Sequence, residues 1–226
     1  MLVAEDVEHS FGSTVALAGV SATVEAGEAV ALVGPSGSGK TTFMYCLSGL
    51  LRPAGGRVTF RGQDLARLGE EERSALRLRS FGFVFQSAEL VPELALRENI
   101  ALPLELLRVR SSQRRARVDE LLERLSLVAA ADRRPARVSG GQAQRAAVAR
   151  AVVHGPDLIF ADEPTGALDS ANGEAVVSLL WELSREGSTA IVLVTHDREL
   201  AGRANRTITL RDGSVVGDPL GAGWPG

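Results

Sequence analysis

Lysine is nearly absent. Among 25 basic residues the chain carries 24 Arg and one Lys, Lys40. A Schiff-base enzyme, or a kinase that pairs a strand lysine with nucleotide phosphates, needs a free lysine. Only Lys40 can serve, and it lies inside GPSGSGKT. A guanine-reading Asn-Lys-x-Asp element would need a second lysine, so a GTPase is disfavoured. Aromatic residues make up only 4% of the chain and the formal net charge is −3. A polyanion binder needs a cationic surface and stacking platforms, so nucleic acid is not expected as a partner. The single cysteine, Cys46, cannot form an internal disulfide. The longest apolar runs, such as 190–194 (AIVLV), fall far short of a spanning helix, and the start MLVAEDVEHS lacks a basic n-region. The reading therefore expects a soluble chain whose membrane role, if any, passes through a partner.

At 226 residues the chain suits one large or subdivided domain. The first 30 residues read as a small β region, with turn signals at Gly12, Gly19 and Gly27. A compact strand at 28–33 enters GPSGSGKT and a helix from about Lys40 to Leu51. A Gly55-Gly56 turn leads to the strand RVTFRG, and GEEERSALRLR reads as a helix with acids in its first turn. FGFVFQ (81–86) is a strand. Residues 87 to about 153 hold only helical patterns. DLIFADE and AIVLVTH are further strands around an amphipathic helix at about 172–186 that stops at Gly187. Asp212-Gly213 marks a closing hairpin, followed by a Gly-rich tail. Continuous apolar strands alternating with helices predict a mainly parallel α/β sheet covered on both faces.

Gly34-Pro35-Ser36-Gly37-Ser38-Gly39-Lys40-Thr41 fits G-x-x-x-x-G-K-[ST] after a strand and before a helix. Its glycines let backbone N–H groups converge on phosphate oxygens, the helix N-terminus favours anions, Lys40 reaches the outer phosphates and Thr41 can ligate Mg²⁺. Thr42 completes the segment. LIFADE places Asp162 and Glu163 at a strand end, where alternation sends their side chains to different sides. One can hold Mg²⁺ and the other can orient or deprotonate water. Ser139-Gly140-Gly141-Gln142 opens a helix as an S-x-x-Q capping box. A capped N-terminus with two glycines is an anion site, yet no phosphate loop adjoins it in sequence.

These three segments together resemble the ATP-binding cassette (ABC) ATPases, over essentially the whole chain. The resemblance implies a P-loop core over residues 1–226, with an N-terminal antiparallel β subdomain within about 1–30 and 55–65 and an inserted α-helical subdomain at about 87–153. It implies ATP and Mg²⁺, and a homodimer in which Ser139 to Gln142 acts on the ATP held by the other subunit. It assigns Gln86 to the Q-loop as a Mg²⁺ and water contact, Ala167-Leu168-Asp169-Ser170 to the D-loop, and His196 in Thr195-His196-Asp197 to the switch that senses the γ-phosphate. Glu163 becomes the general base, Thr41, Gln86 and Asp162 the Mg²⁺ contacts, and Lys40 with His196 the stabilisers of transition-state charge. Phe11 stands where the family usually has a tyrosine that stacks on adenine; alternatively it completes the β-region core. Ala143 and Val138 also depart from the usual glutamine and leucine.

The implied partner is an integral membrane permease whose coupling helix docks on the segment after Gln86, which places the chain at the cytoplasmic face of the membrane. GFVFQ and DEPTGALDS look most like the branch serving lipoprotein release and macrolide or peptide export. A division-type regulator driving a permease-like partner without transport is the alternative, and single-cassette length disfavours translation or DNA-repair members. The basic run Arg108, Arg110, Arg114, Arg115, Arg117 reads as a solvated helix face, with anionic lipid or a permease loop as the alternative.

Overall fold

The computed structural model describes residues 1–166, 168–187 and 189–217. Ala167 and the Gly-rich tail lie outside the described residues. Two sheets organise the rest. Antiparallel β1 (Leu2–Phe11), β2 (Thr14–Val24), β4 (Gly55–Phe60) and β5 (Gln63–Asp64) are ordered β2-β1-β4-β5. The second sheet is ordered β10-β9-β3-β8-β7-β6, from β3 (Ala29–Val33), β6 (Phe81–Val84), β7 (Leu158–Asp162), β8 (Ala190–Val194), β9 (Arg206–Arg211) and β10 (Ser214–Gly217). Its strands run parallel except β10, which returns antiparallel on β9. Every residue of β3, β7 and β8 is buried, as continuous apolar strands between two helical layers require.

The period-two alternation of β7 sorts the core. Leu158 and Phe160 face α1 (Lys40–Leu47), where Phe43, Met44 and Leu47 join the inner face of the antiparallel sheet. Ile159 and Ala161 face the other way, onto α3 (Leu96–Leu106), α4 (Ser111–Arg124), α5 (Gly140–Val152) and α6 (Ser170–Gly187). Phe43 and Phe160 are fully buried, and truncating either to Ala should cost roughly 3–5 kcal/mol. The remaining helices are α2 (Glu70–Ser80) and the short α7 (Arg198–Gly202), which the sequence reading did not foresee. Its start is fixed by Asp197, whose carboxylate accepts from the Glu199 and Leu200 amides. Among the described residues, no helix is long and apolar enough to cross a membrane.

Several boundaries differ from expectation. Helix α1 stops at Leu47, and Gly49 at φ +67 ends the turn. The Gly55-Gly56 pair is the start of β4 rather than a turn. It lies against a register shift in β1, where Asp6 is also left-handed, and a Cβ on Gly56 would stand 2.2 Å from the Asp6 carbonyl oxygen. Helix α6 includes Gly187, which was expected just beyond its end. Asp212 and Gly213 both have positive φ, the geometry of a tight hairpin turn. Within the basic run, Arg114 pairs with Glu105 and Arg115 with Asp119, while Arg117 donates to the Val153 carbonyl.

Candidate functional site: the carboxyl ends of the parallel strands

Strands β3, β7 and β8 end side by side, and the loops beyond them gather the chemistry, as open parallel sheets do at their carboxyl edge. Beyond β3, Gly34 to Gly39 wraps toward α1. Two glycines are enforced by close packing as well as by left-handed backbone. A Cβ on Gly34 (φ +143) would lie 2.0 Å from the Leu210 carbonyl oxygen, and one on Gly39 (φ +98) 2.4 Å from that of Ala16. Ser36 and Gly37 are exposed, while Ser38 is buried with its Oγ unpartnered. The Gly213 amide donates to the Ser38 carbonyl at 3.2 Å, so the C-terminal hairpin braces the loop.

The first intrahelical bond of α1 runs from the Phe43 amide to the Gly39 carbonyl. The amides of Lys40, Thr41 and Thr42 thus remain as the donor-rich end of a helix, suited to an anion. Lys40 Nζ donates to the carbonyls of Gly34 at 2.9 Å and Pro35 at 2.8 Å, closing the loop on itself. Desolvation pulls its pKa down, opposed by the charges of Glu163 and Asp162.

Asp162 is the last residue of β7 and, by alternation, shares the face of Phe160 toward α1. Thr41 Oγ1 donates to its Oδ2 at 3.0 Å. Burial raises the Asp162 pKa, and so does nearby Glu163, while the Thr41 bond and Lys40 lower it. A buried carboxylate beside a hydroxyl oxygen, at the start of the helix that follows the Gly34–Gly39 loop, is a hard oxygen donor set of the kind Mg²⁺ prefers.

Strand alternation does not account for Glu163. The strand ends before it and Glu163 adopts φ +47, a left-handed conformation that is costly for a non-glycine residue. The turn aims its carboxylate at the end of β8. Oε1 accepts the His196 amide at 2.9 Å and lies 2.7 Å from His196 Nδ1, while Thr195 Oγ1 donates to Oε2 at 3.3 Å. The Glu163 side chain is only 14% exposed, whereas that of His196 is 81% exposed.

The structure thus brings together Lys40, Thr41, Asp162, Glu163 and His196. Gln86 follows β6 by two residues and is exposed, without a hydrogen bond among the described residues. Ser139 caps α5: its Oγ accepts the Gln142 amide and the Gln142 side chain returns to the Ser139 amide. Gly140 is exposed and Gly141 half-buried, and no hydrogen bond or ion pair among the described residues joins this end of α5 to the Gly34–Gly39 loop. Asp169 accepts from the Asn172 amide and Nδ2, which holds its carboxyl below the usual range. Phe11 is 57% exposed and edge-on to His9, so it does not complete the β core.

Sequence reasoning names Thr195 only as part of Thr195-His196-Asp197 and assigns no role to Tyr45 or Gln144. Thr195 holds Glu163, Tyr45 meets Phe85 edge-on from α1, and Gln144 binds the Phe85 carbonyl. Gln144 had a signal, as an amide within the Ala- and Val-rich stretch AQRAAVARAVV.

A family model described as ABC transporter matches residues 17–166. The pyoverdine export ATP-binding/permease protein PvdT of Pseudomonas aeruginosa is 48% identical over 202 residues, which cover 89% of this chain and 30% of that protein. The macrolide export ATP-binding/permease protein MacB of Marinobacter nauticus is 44% identical over 225 residues, covering 98% of this chain and 35% of that protein. The chain therefore spans about a third of the length of these relatives. Among solved structures, the dimeric post-hydrolysis state of the ATP-binding cassette MJ0796 bound to ADP and phosphate superposes with TM-score 0.92 at 36% identity, covering 99% of this chain and 100% of that one. The cbiO1 subunit from Clostridium perfringens gives TM-score 0.84 at 26% identity, covering 97% and 88%.

Proposed function

Because the chain belongs to the ABC transporter family and is an ATPase, we propose that it is a nucleotide-binding subunit that closes as a homodimer around two ATP and drives an integral membrane permease. The convergence of Lys40, Thr41, Asp162, Glu163 and His196 beside an α1 N-terminus carries this reading. Ser139 to Gln142, a second helix end suited to an anion and not joined to that loop by a hydrogen bond or ion pair among the described residues, gives each site a donor from the other subunit.

In each site the amides from Gly34 to Thr42, with the Ser36 and Ser38 hydroxyls, surround the phosphates, and Lys40 exchanges its loop carbonyls for phosphate oxygens. Phe11 offers its exposed ring to adenine. Thr41 and Asp162, with Gln86, would hold Mg²⁺, which supplies charge neutralisation to the phosphate oxygens. Glu163 accepts the proton of the attacking water as its oxygen bonds to the γ-phosphorus and the bond to the ADP oxygen breaks. Lys40 and His196 stabilise charge on the transferring group, and Asp169 lines the subunit junction.

In this reading the four-stranded sheet and residues 87–153 act as the β and helical subdomains of one ATPase domain. The segment after Gln86 receives the permease, which sets the chain at the cytoplasmic face of the membrane. The naming of both relatives as export proteins, one for pyoverdine and one for a macrolide, favours an exporter. Phosphate release with ATP and Mg²⁺, lost on chelation, together with co-purification of a polytopic membrane protein, tests the proposal. Turnover without any membrane partner in a native pull-down would overturn its second half.

A further inference from the structure

Helix α5 lies along the whole segment that carries Gln86. A Cβ on Gly82 would stand 2.2 Å from the Ala151 carbonyl oxygen, so strand and helix backbones are in direct contact. His154, just past the helix, places Nε2 3.1 Å from the Phe81 carbonyl oxygen. Gln144, seven residues before Ala151 on the same face, is 1% exposed and donates Nε2–H to the Phe85 carbonyl at 3.1 Å. Arg150 donates to the Glu89 carbonyl at 2.7 Å and the Ala88 carbonyl at 3.2 Å. The carbonyls on both sides of Gln86 are thereby held from α5, while the Gln86 side chain itself is left exposed.

The same helix begins at the Ser139 capping box. Leaving the Gln144 amide and the Phe85 carbonyl unpaired inside the fold would cost the desolvation of both groups. That cost opposes any separation of segment 85–89 from α5 and couples the two. We infer that Gln144 and Arg150 are positioning residues for ATP hydrolysis, fixing the backbone that presents Gln86 and tying it to the helix whose N-terminus serves the other subunit's ATP. The inference rests on the reading of Gln86 as a contact to Mg²⁺ and water.

The test uses the purified full chain with Gln86→Ala, Gln144→Met, their combination, Arg150→Met and Arg150→Lys. Gln144→Met keeps the length of the side chain and removes the donor. It should lower kcat about tenfold while KM for ATP and nucleotide Kd stay within about twofold, and the double variant should be no slower than Gln86→Ala alone. Without nucleotide, amide exchange across residues 85–89 should quicken in Gln144→Met. Arg150→Lys, which retains a donor, should recover most of the rate lost in Arg150→Met. Losses that multiply in the double variant, a wild-type kcat in Gln144→Met, or unchanged exchange would overturn the inference. If Gln144→Met does not fold, equal rates for Arg150→Met and wild type would do the same. A wild-type rate in Gln86→Ala would instead overturn the reading of Gln86 itself.

Discussion

Glu163 and His196 are joined twice through one oxygen: Oε1 accepts the His196 amide at 2.9 Å and stands 2.7 Å from its Nδ1. Thr195 holds the second oxygen, and the left-handed backbone at Glu163 sets the direction. A carboxylate fixed this firmly suits the proton-transfer role proposed for Glu163. Glu163→Gln keeps shape and loses basicity. It should reduce kcat by about 10²–10⁴-fold with nucleotide Kd little changed, read by phosphate release and by binding of a fluorescent ATP analogue. Turnover near wild type would remove Glu163 from the role of base.

Asp162 should show opposite effects on stability and activity. Burial raises its pKa, so the folded chain holds that proton more tightly than the unfolded chain does. Stability from this group is therefore lost as pH rises from the ordinary carboxylate value through the raised one, and at neutral pH the full cost of the buried charge is present. Asp162→Asn retains an oxygen for Thr41 and removes the charge. In nucleotide-free protein it should raise Tm at pH 7, with a smaller gain at acid pH, while turnover falls by about 10²-fold or more.

Lys40 makes the site unusually easy to address chemically. Within these 226 residues, with 24 Arg and one Lys, Lys40 is the one side-chain amine open to an amine-selective acylating reagent. Desolvation lowers the Lys40 pKa, which increases its neutral, reactive fraction below the ordinary lysine value. At ATP one hundred times Kd, its labelling rate should fall about 100-fold by mass action, as read by peptide mass spectrometry. Equal labelling with and without ATP would place phosphate binding elsewhere. Arginine would fill this position poorly, because a broad planar guanidinium fits less well between phosphates than a compact ammonium on a flexible stem.

Much of this arrangement is legible in the sequence because it rests on local rules. The Gly34–Thr41 pattern, the Ser139/Gln142 capping box and the Asp212-Gly213 hairpin each state their own geometry within a few residues. What escapes depends on contacts between distant segments. The early end of α1 and the bulge at Gly56 are settled by packing, the latter against Asp6. The turn at Glu163 is supported by residues 32 and 33 positions away. No propensity argument places a glutamate in the left-handed region, and strand alternation alone assigns its direction to the wrong cause. Gln144 is visible as an amide in an apolar helix, but its partner carbonyl is found only in three dimensions.

Phe11 separates adenine stacking from a purely structural ring. At 57% exposure it contributes little to the core, so Phe11→Ala should leave Tm nearly unchanged. Loss of a stacked ring should weaken ATP binding by about 1 kcal/mol, roughly fivefold in Kd. Isothermal titration on both proteins reads the difference, and equal affinities would show that adenine is held elsewhere.

The composite site is the centre of the account, and the oligomeric state of Glu163→Gln tests it most directly. Sedimentation velocity should show the chain at its 23.8 kDa monomer mass without nucleotide and at twice that mass with ATP. Adding Ser139→Ala to Glu163→Gln should shift the balance back toward monomer at the same ATP concentration. A Glu163→Gln protein that binds ATP fully yet stays monomeric at all accessible protein concentrations would contradict it.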